Sequence, residues 1–226
     1  MSLLPSVLFK ESDYWIVNKP AGMSFHAESQ EIGFMQWMHE NYPDQSFFPV
    51  HRLDRITSGL IILAKHKEAA QVFGQLFEQH LISKYYLALS AKKPKKKQGT
   101  IKGGMQQGRR GSWMLNQSNT NFAHTQFFSC LLKPGIRLFV LKPKTGKTHQ
   151  LRVALKSVAA PILGDERYGG EVSDRGYLHA YSLSFEWQGE AKEFECMPEA
   201  GVEFEGLESS LIAHNLYPLN DLPWPK

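Results

Sequence analysis

The chain has 226 residues, of which 42% are hydrophobic and 21% charged, with two cysteines and a formal net charge of +4. It is long enough to bury a real core in one large or two small domains. Its apolar runs are too short to span a bilayer and MSLLPSVLFKESD carries no secretory signal, while Cys130 and Cys196 lack metal-ligand spacing, so a reducing, cytoplasmic compartment and free thiols are expected.

In chain order, Val7–Lys10 and Tyr14–Asn18 read as short strands, and Lys19-Pro20-Ala21-Gly22 breaks the second. Ile32–Tyr42 has helical spacing that Pro43 ends, and Phe47–Val50 is a short strand. It feeds HRLDRITSGLIILAK, residues 51 to 65, where Asp54 stands between Arg52 and Arg55. Thr57-Ser58-Gly59 reads as a tight turn before a buried strand. Flanking cations favour the charged form of a carboxylate, as a nucleophilic or electrostatic Asp requires. An ordinary surface ion pair gives the same local pattern.

Lys67–His80 predicts an amphipathic helix with Ala69, Ala70, Val72, Phe73, Leu76 and Phe77 on its apolar face. Lys84–Ala91 reads as a strand. Residues 92–113, with KKPKKK, five glycines and Arg109-Arg110, read as a long hairpin or mobile surface loop. Phe122–Leu132 and Ile136–Lys142 should pair around Lys133-Pro134-Gly135. Thr145-Gly146-Lys147-Thr148 opens a helix with Thr148 as cap and Arg152 near its electropositive end. Tyr177–Glu186 and Lys192–Met197 flank a Gln188-Gly189 turn. The tail from Pro198, acidic and then Pro-rich, is expected to lie over the surface as a short extra element. Together these give an α+β fold, a mainly antiparallel mixed sheet with a few flanking helices, in a single domain over 1–226.

Charge is unevenly spread. Residues 79–164 carry sixteen Lys or Arg and no acid, whereas 1–78 carry six against nine acids and 165–226 four against thirteen. So long a one-sided run implies a face that meets a polyanion, with nucleic acid ahead of a membrane surface. Competing chemistries fall away. Gly146-Lys147-Thr148 lacks the first glycine of a P-loop, Gly103–Arg110 lacks its Lys-Ser/Thr, no histidine pair has zinc spacing, and no Gly-x-Ser-x-Gly elbow occurs. A glycoside hydrolase would need a second acid, for which the acid-free run leaves little room.

NKPAGMSFH, HRLDRITSGLIILAK, KYYLAL, TGKTHQLRV with PILGDERYG, and LHAYSLSF, in this order over about residues 7–187, resemble the RluA family of RNA pseudouridine synthases. The resemblance implies isomerisation of uridine to pseudouridine in tRNA or large-subunit rRNA without metal or other cofactor, by a chain expected to act as a monomer. It implies that Asp54 is the catalytic aspartate, Arg152 the arginine that pairs with it, and Tyr86 the tyrosine that stacks on the target uracil. Arg52 would occupy the space left by the flipped base. Arg55, Lys147, Thr148, Lys95, Lys96, Lys97, Arg109 and Arg110 would meet RNA, largely through phosphate. Relatives often carry His at the position of Ala154 and Arg at that of Lys147. The small basic N-terminal domain of some relatives is not expected here. A non-catalytic RNA-binding or RNA-folding factor on the same fold is the alternative.

Overall fold

In the computed structural model, residues 3–27 and 31–225 are described. The elements run β1 (Ser6–Lys10), β2 (Tyr14–Lys19), α1 (Phe34–Asn41), β3 (Phe48–Pro49), β4 (Thr57–Ala64), α2 (Lys67–Glu78), β5 (Ser83–Ser90), β6 (Gln98–Gln107), β7 (Trp113–Asn116), β8 (Phe122–Lys133), β9 (Ile136–Pro143), α3 (Gln150–Ser157), β10 (Leu178–Trp187), β11 (Glu190–Glu195) and α4 (Leu207–Ala213). The fold is α+β, as the sequence predicts. Two compact units divide the chain: residues 1–83 with 179–198, and residues 84–178 with 199–226. No helix among the described residues is long and apolar enough to cross a membrane.

In the first unit the strand order is β1-β2-β4-β10, with β3 on β4 and β11 on β10. The β1–β2, β2–β4, β3–β4 and β10–β11 pairings are antiparallel. β4 is buried along its whole length, which is why Leu60–Ala64 is continuously apolar rather than alternating. One sequence expectation fails here. Thr57-Ser58-Gly59 is the start of β4, and the turn lies one step earlier, closed by the Thr57 N–H donating to the Asp54 carbonyl at 3.0 Å. Gly59 is required by a close approach instead. At φ +108° an added Cβ would run into the Ala180 backbone. α2 packs Ala69 and Phe73 inward, and Phe73 stacks on Trp187 with centroids 4.4 Å apart. Val72, expected on that face, is exposed.

The second unit runs β5-β9-β8-β6-β7, with every pairing antiparallel. The stretch expected as hairpin or mobile loop is a hairpin built into this sheet: β6 is paired on one side to β8 and on the other to β7. The hairpin option holds and the mobile-loop option does not, because its glycines answer to packing. A Cβ on Gly104 would collide with the Asn116 and Ser118 side chains. The C-terminal segment is also more than a surface element. α4 and its flanking turns bury Phe204, Leu207, Leu211, Leu216 and Leu219, and Trp224 packs on Tyr85 and Phe128 at centroid distances of 5.6 and 5.0 Å.

Asp13 ties the first unit together by accepting from His66 Nε2, Trp187 Nε1 and Gln188 Nε2. Burial works to raise its pKa, but hydrogen bonds from His66, Trp187 and Ser12 outweigh that and hold it below the ordinary value. The Asp13 hydrogen bond in turn holds His66 above its ordinary value. A lowered carboxyl stabilises the fold above its unfolded value of 3.8 and loses this as pH falls through its folded pKa. A raised imidazole stabilises below its unfolded value of 6.5 and loses this as pH rises through its folded pKa. Asp13→Ala should therefore lower the thermal midpoint most near pH 5 and less at pH 8, where the charge on His66 no longer adds to the hydrogen bonds that are lost. Thermal unfolding across pH checks this, and an equal loss at both values would contradict it.

Candidate active site

The first unit supplies the Asp54 loop. Leu53 is buried, Asp54 half-buried, and Arg52 and Arg55 exposed. His51 anchors the entry: its Nε2 accepts the Ile62 N–H at 2.9 Å, and its ring packs on Phe77. Arg55 anchors the exit. Its Nε donates to the Gly22 carbonyl at 2.9 Å, its Nη2 meets Glu31 at 2.9 Å, and its own carbonyl accepts the Gly22 N–H at 2.7 Å. Arg55, predicted to face RNA, thus has a structural task on its own chain. Next along, the Ser58 hydroxyl meets His179 Nδ1 at 2.8 Å and His179 Nε2 meets the Cys196 carbonyl at 2.6 Å, a buried chain across the start of β4.

The loop that Arg55 grips is shaped by Lys19, a residue to which the sequence alone assigns no role. Its side chain is fully buried, and its Nζ donates to the Pro20 and Met23 carbonyls at 2.8 and 2.7 Å. The ammonium folds KPAGM around itself, so NKPAGMSFH carries a cation at its centre because the backbone there needs a donor.

The second unit holds Tyr86, Arg152 and the basic residues. On β5, Tyr85 is buried, donates to Asn220 Oδ1 at 2.8 Å and lies under Lys142. Alternation puts the partly exposed Tyr86 on the opposite face with Lys84. Burial pushes Lys84 down to about 8. Lys95, Lys96 and Lys97 are exposed on the turn before β6, where the Lys97 carbonyl accepts from the Ser129 N–H and hydroxyl. Arg109 and Arg110 are exposed on the short 3₁₀ turn joining β6 to β7.

Thr148 is not the cap of α3. His149 takes that position in a left-handed conformation, without a side-chain cap. The loop is held from within by Gln150, whose Oε1 accepts from Thr145 Oγ1 and the Lys147 N–H at 2.7 and 2.9 Å. Its Nε2 donates to the His124 carbonyl and Thr125 Oγ1. This leaves Thr148 exposed and Lys147 half-buried. Arg152 is the third residue of α3 and is buried. Its Nε and Nη2 donate to Asp165 Oδ2 and Oδ1 at 2.7 and 2.8 Å, a bidentate pair with both partners out of solvent. Sequence reasoning missed Asp165, although the signal was there: it is the first acid after 86 residues without one.

The RNA pseudouridylate synthase family matches residues 13–157, which include Asp54, Tyr86 and Arg152. The chain belongs to this family. By family it is an RNA pseudouridine synthase of the RluA type, an isomerase. An uncharacterized RNA pseudouridine synthase of Haemophilus influenzae is 48% identical over 197 residues, 86% of this chain and 88% of that one. A tRNA pseudouridine synthase C of Haemophilus ducreyi is 31% identical, covering 72% of this chain and 73% of its own. A ribosomal large subunit pseudouridine synthase C of Rickettsia bellii is 30% identical over 78% of this chain, which spans 62% of that enzyme's length. Among solved structures, human RNA Pseudouridylate Synthase Domain Containing 1 shares the fold, with TM-score 0.76 at 24% identity over 98% of this chain and 97% of that one.

Removing the Lys19 ammonium takes a donor from the Pro20 and Met23 carbonyls. Lys19→Met should cost about 1–3 kcal/mol of stability. Urea unfolding of the full chain measures this, and an unchanged midpoint would show that the loop closes without the cation.

Proposed function

We propose that this chain is a cytoplasmic enzyme that converts a specific uridine of a structured tRNA or large-subunit rRNA to pseudouridine, with Asp54 as the nucleophile acting on a flipped-out base. The observation that carries this is the family match, because one unbroken span contains Asp54, Tyr86 and Arg152. In the reaction the bond from N1 to C1′ breaks, the uracil turns, and C5 bonds to C1′. The C5 hydrogen leaves as a proton and N1 gains one, so the conversion is balanced within substrate and water.

Asp54 would meet the target on the half-exposed loop that His51 and Arg55 brace. Arg152 would orient the Asp54 carboxylate, and Tyr86 would stack on the uracil. Taking the base out of its stack costs roughly a few kcal/mol, which stacking on Tyr86 and insertion of Arg52 would offset. Arg55, Lys147, Thr148, Lys95, Lys96, Lys97, Arg109 and Arg110 would bind backbone phosphate, which positions the RNA and carries little sequence information.

Asp54→Asn should abolish pseudouridine formation in RNA from a strain lacking the gene while RNA binding persists; product at the wild-type rate would remove Asp54 from the chemistry. Replacing Lys95, Lys96, Lys97, Arg109 and Arg110 by Ala should flatten the salt dependence of binding, the log–log slope falling by about one for each phosphate no longer neutralised. Filter binding from low to high salt reads this directly, and an unchanged slope would place the RNA elsewhere.

A further inference from the structure

Arg152 is held on two sides by residues that the proposed chemistry does not use. Asp165 takes its Nε and Nη2, and the Tyr168 ring lies under the guanidinium, with Cζ 4.9 Å from the centroid. Both are almost fully buried. Both stand on one turn: the Asp165 carbonyl accepts the Tyr168 and Gly170 N–H groups at 3.1 and 2.9 Å, and the Asp165 N–H donates to the Ile162 carbonyl at 3.0 Å. The Tyr168 hydroxyl accepts the Trp113 N–H at 2.9 Å and meets His149 Nδ1 at 2.7 Å. Arg167 Nη1 donates to the Arg110 carbonyl at 3.1 Å. The turn carrying Asp165 and Tyr168 is therefore stitched both to the residue that opens α3 and to the turn that joins β6 to β7.

We propose that Asp165 and Tyr168 are positioning residues that fix the Arg152 guanidinium before RNA arrives. An arginine side chain has four rotatable bonds, and a cation free to sample them would face the reacting carboxylate only part of the time. The bidentate carboxylate sets the plane of the guanidinium and the tyrosine ring bars it from tilting away. The tyrosine is set in turn by its hydroxyl, so the geometry is fixed from the hairpin inward. A carboxylate at 165 also keeps the buried cation paired whatever the ionisation of the substrate-side partner. This inference rests on the assignment of Arg152 to the reaction.

The test is single-turnover release of tritium from RNA of a strain lacking the gene, labelled at uridine C5, with RNA affinity and thermal midpoint measured alongside. Tyr168→Phe keeps the ring and removes the hydroxyl. Its single-turnover rate should fall about tenfold with affinity little changed and the midpoint lowered only by what the lost Trp113 and His149 bonds contribute, since misplacing a reacting group costs rate more than binding. Asp165→Asn should lose more, and Asp165→Glu should recover part of that loss. In an Arg152→Lys background, Asp165→Asn should add little further loss, because residues acting through one another are not additive. Multiplicative losses in that cycle, or a Tyr168→Phe rate equal to wild type, would overturn the proposal and leave the enzyme assignment intact. No release by the wild-type protein would overturn the enzyme assignment and this proposal with it.

Discussion

The buried pair of Arg152 and Asp165 is the interaction on which the second unit's architecture turns. Two full charges stand almost out of water, and such a pair is tolerable only when geometry and hydrogen bonding are good. The surroundings meet that demand. The guanidinium receives both carboxylate oxygens and an aromatic face, and the carboxylate sits on a turn closed by three backbone hydrogen bonds. α3, the turn after Ile162 and the turn joining β6 to β7 all meet around that pair. Loss of one partner would strand a charge in the core, so the pair constrains the sequence more tightly than any apolar neighbour.

The first unit meets a similar problem with different chemistry. Lys19 is a buried cation whose ammonium is bonded to main-chain oxygens, the carbonyls of Pro20 and Met23. Arg55, the residue that follows Asp54, is then tied to the loop so formed through Gly22. The loop that carries Asp54 is thereby held by backbone hydrogen bonds and cation donors, beside the apolar anchorage of Leu53 and of His51 on Phe77. Directional bonds fix that loop as much as packing does, as the proposed role of Asp54 would require.

Much of this was legible in the sequence. Helical and strand periods placed nearly every element, because Leu60–Ala64 is apolar for burial on both sides and Tyr85 and Tyr86 obey strand alternation. The misreadings share one cause. Gly59, Gly104 and Thr148 carry turn or cap propensities, but Gly59 and Gly104 answer to the backbone or side chains of segments distant or folded back in the chain, and Thr148 yields its cap position to a loop held by Gln150. Propensity records what a residue allows locally and is silent on what approaches it. Lys19 and Asp165 were missed for a related reason: their burial depends on what the fold packs around them, although the acid-free run before Asp165 marked that residue as unusual. The C-terminal helix was underestimated because its apolar residues are spread thinly among acids, yet the helix and its flanking turns send five of them into the core.

The turn that carries Lys95, Lys96 and Lys97 is ordered from behind. Pro94 is buried, and the Lys97 carbonyl is fixed by two donors from Ser129, so the backbone under three exposed ammonium groups is set in the free protein. A flexible basic arm must surrender main-chain entropy of roughly 1–2 kcal/mol per residue when it wraps a polyanion. This turn surrenders only the freedom of its side chains. Three mobile charges on a fixed base can follow the varied spacing of phosphates without refolding at each encounter. In the proposed enzyme such a turn would tolerate local differences in the RNA it meets, and the choice of one particular site would fall to other loops.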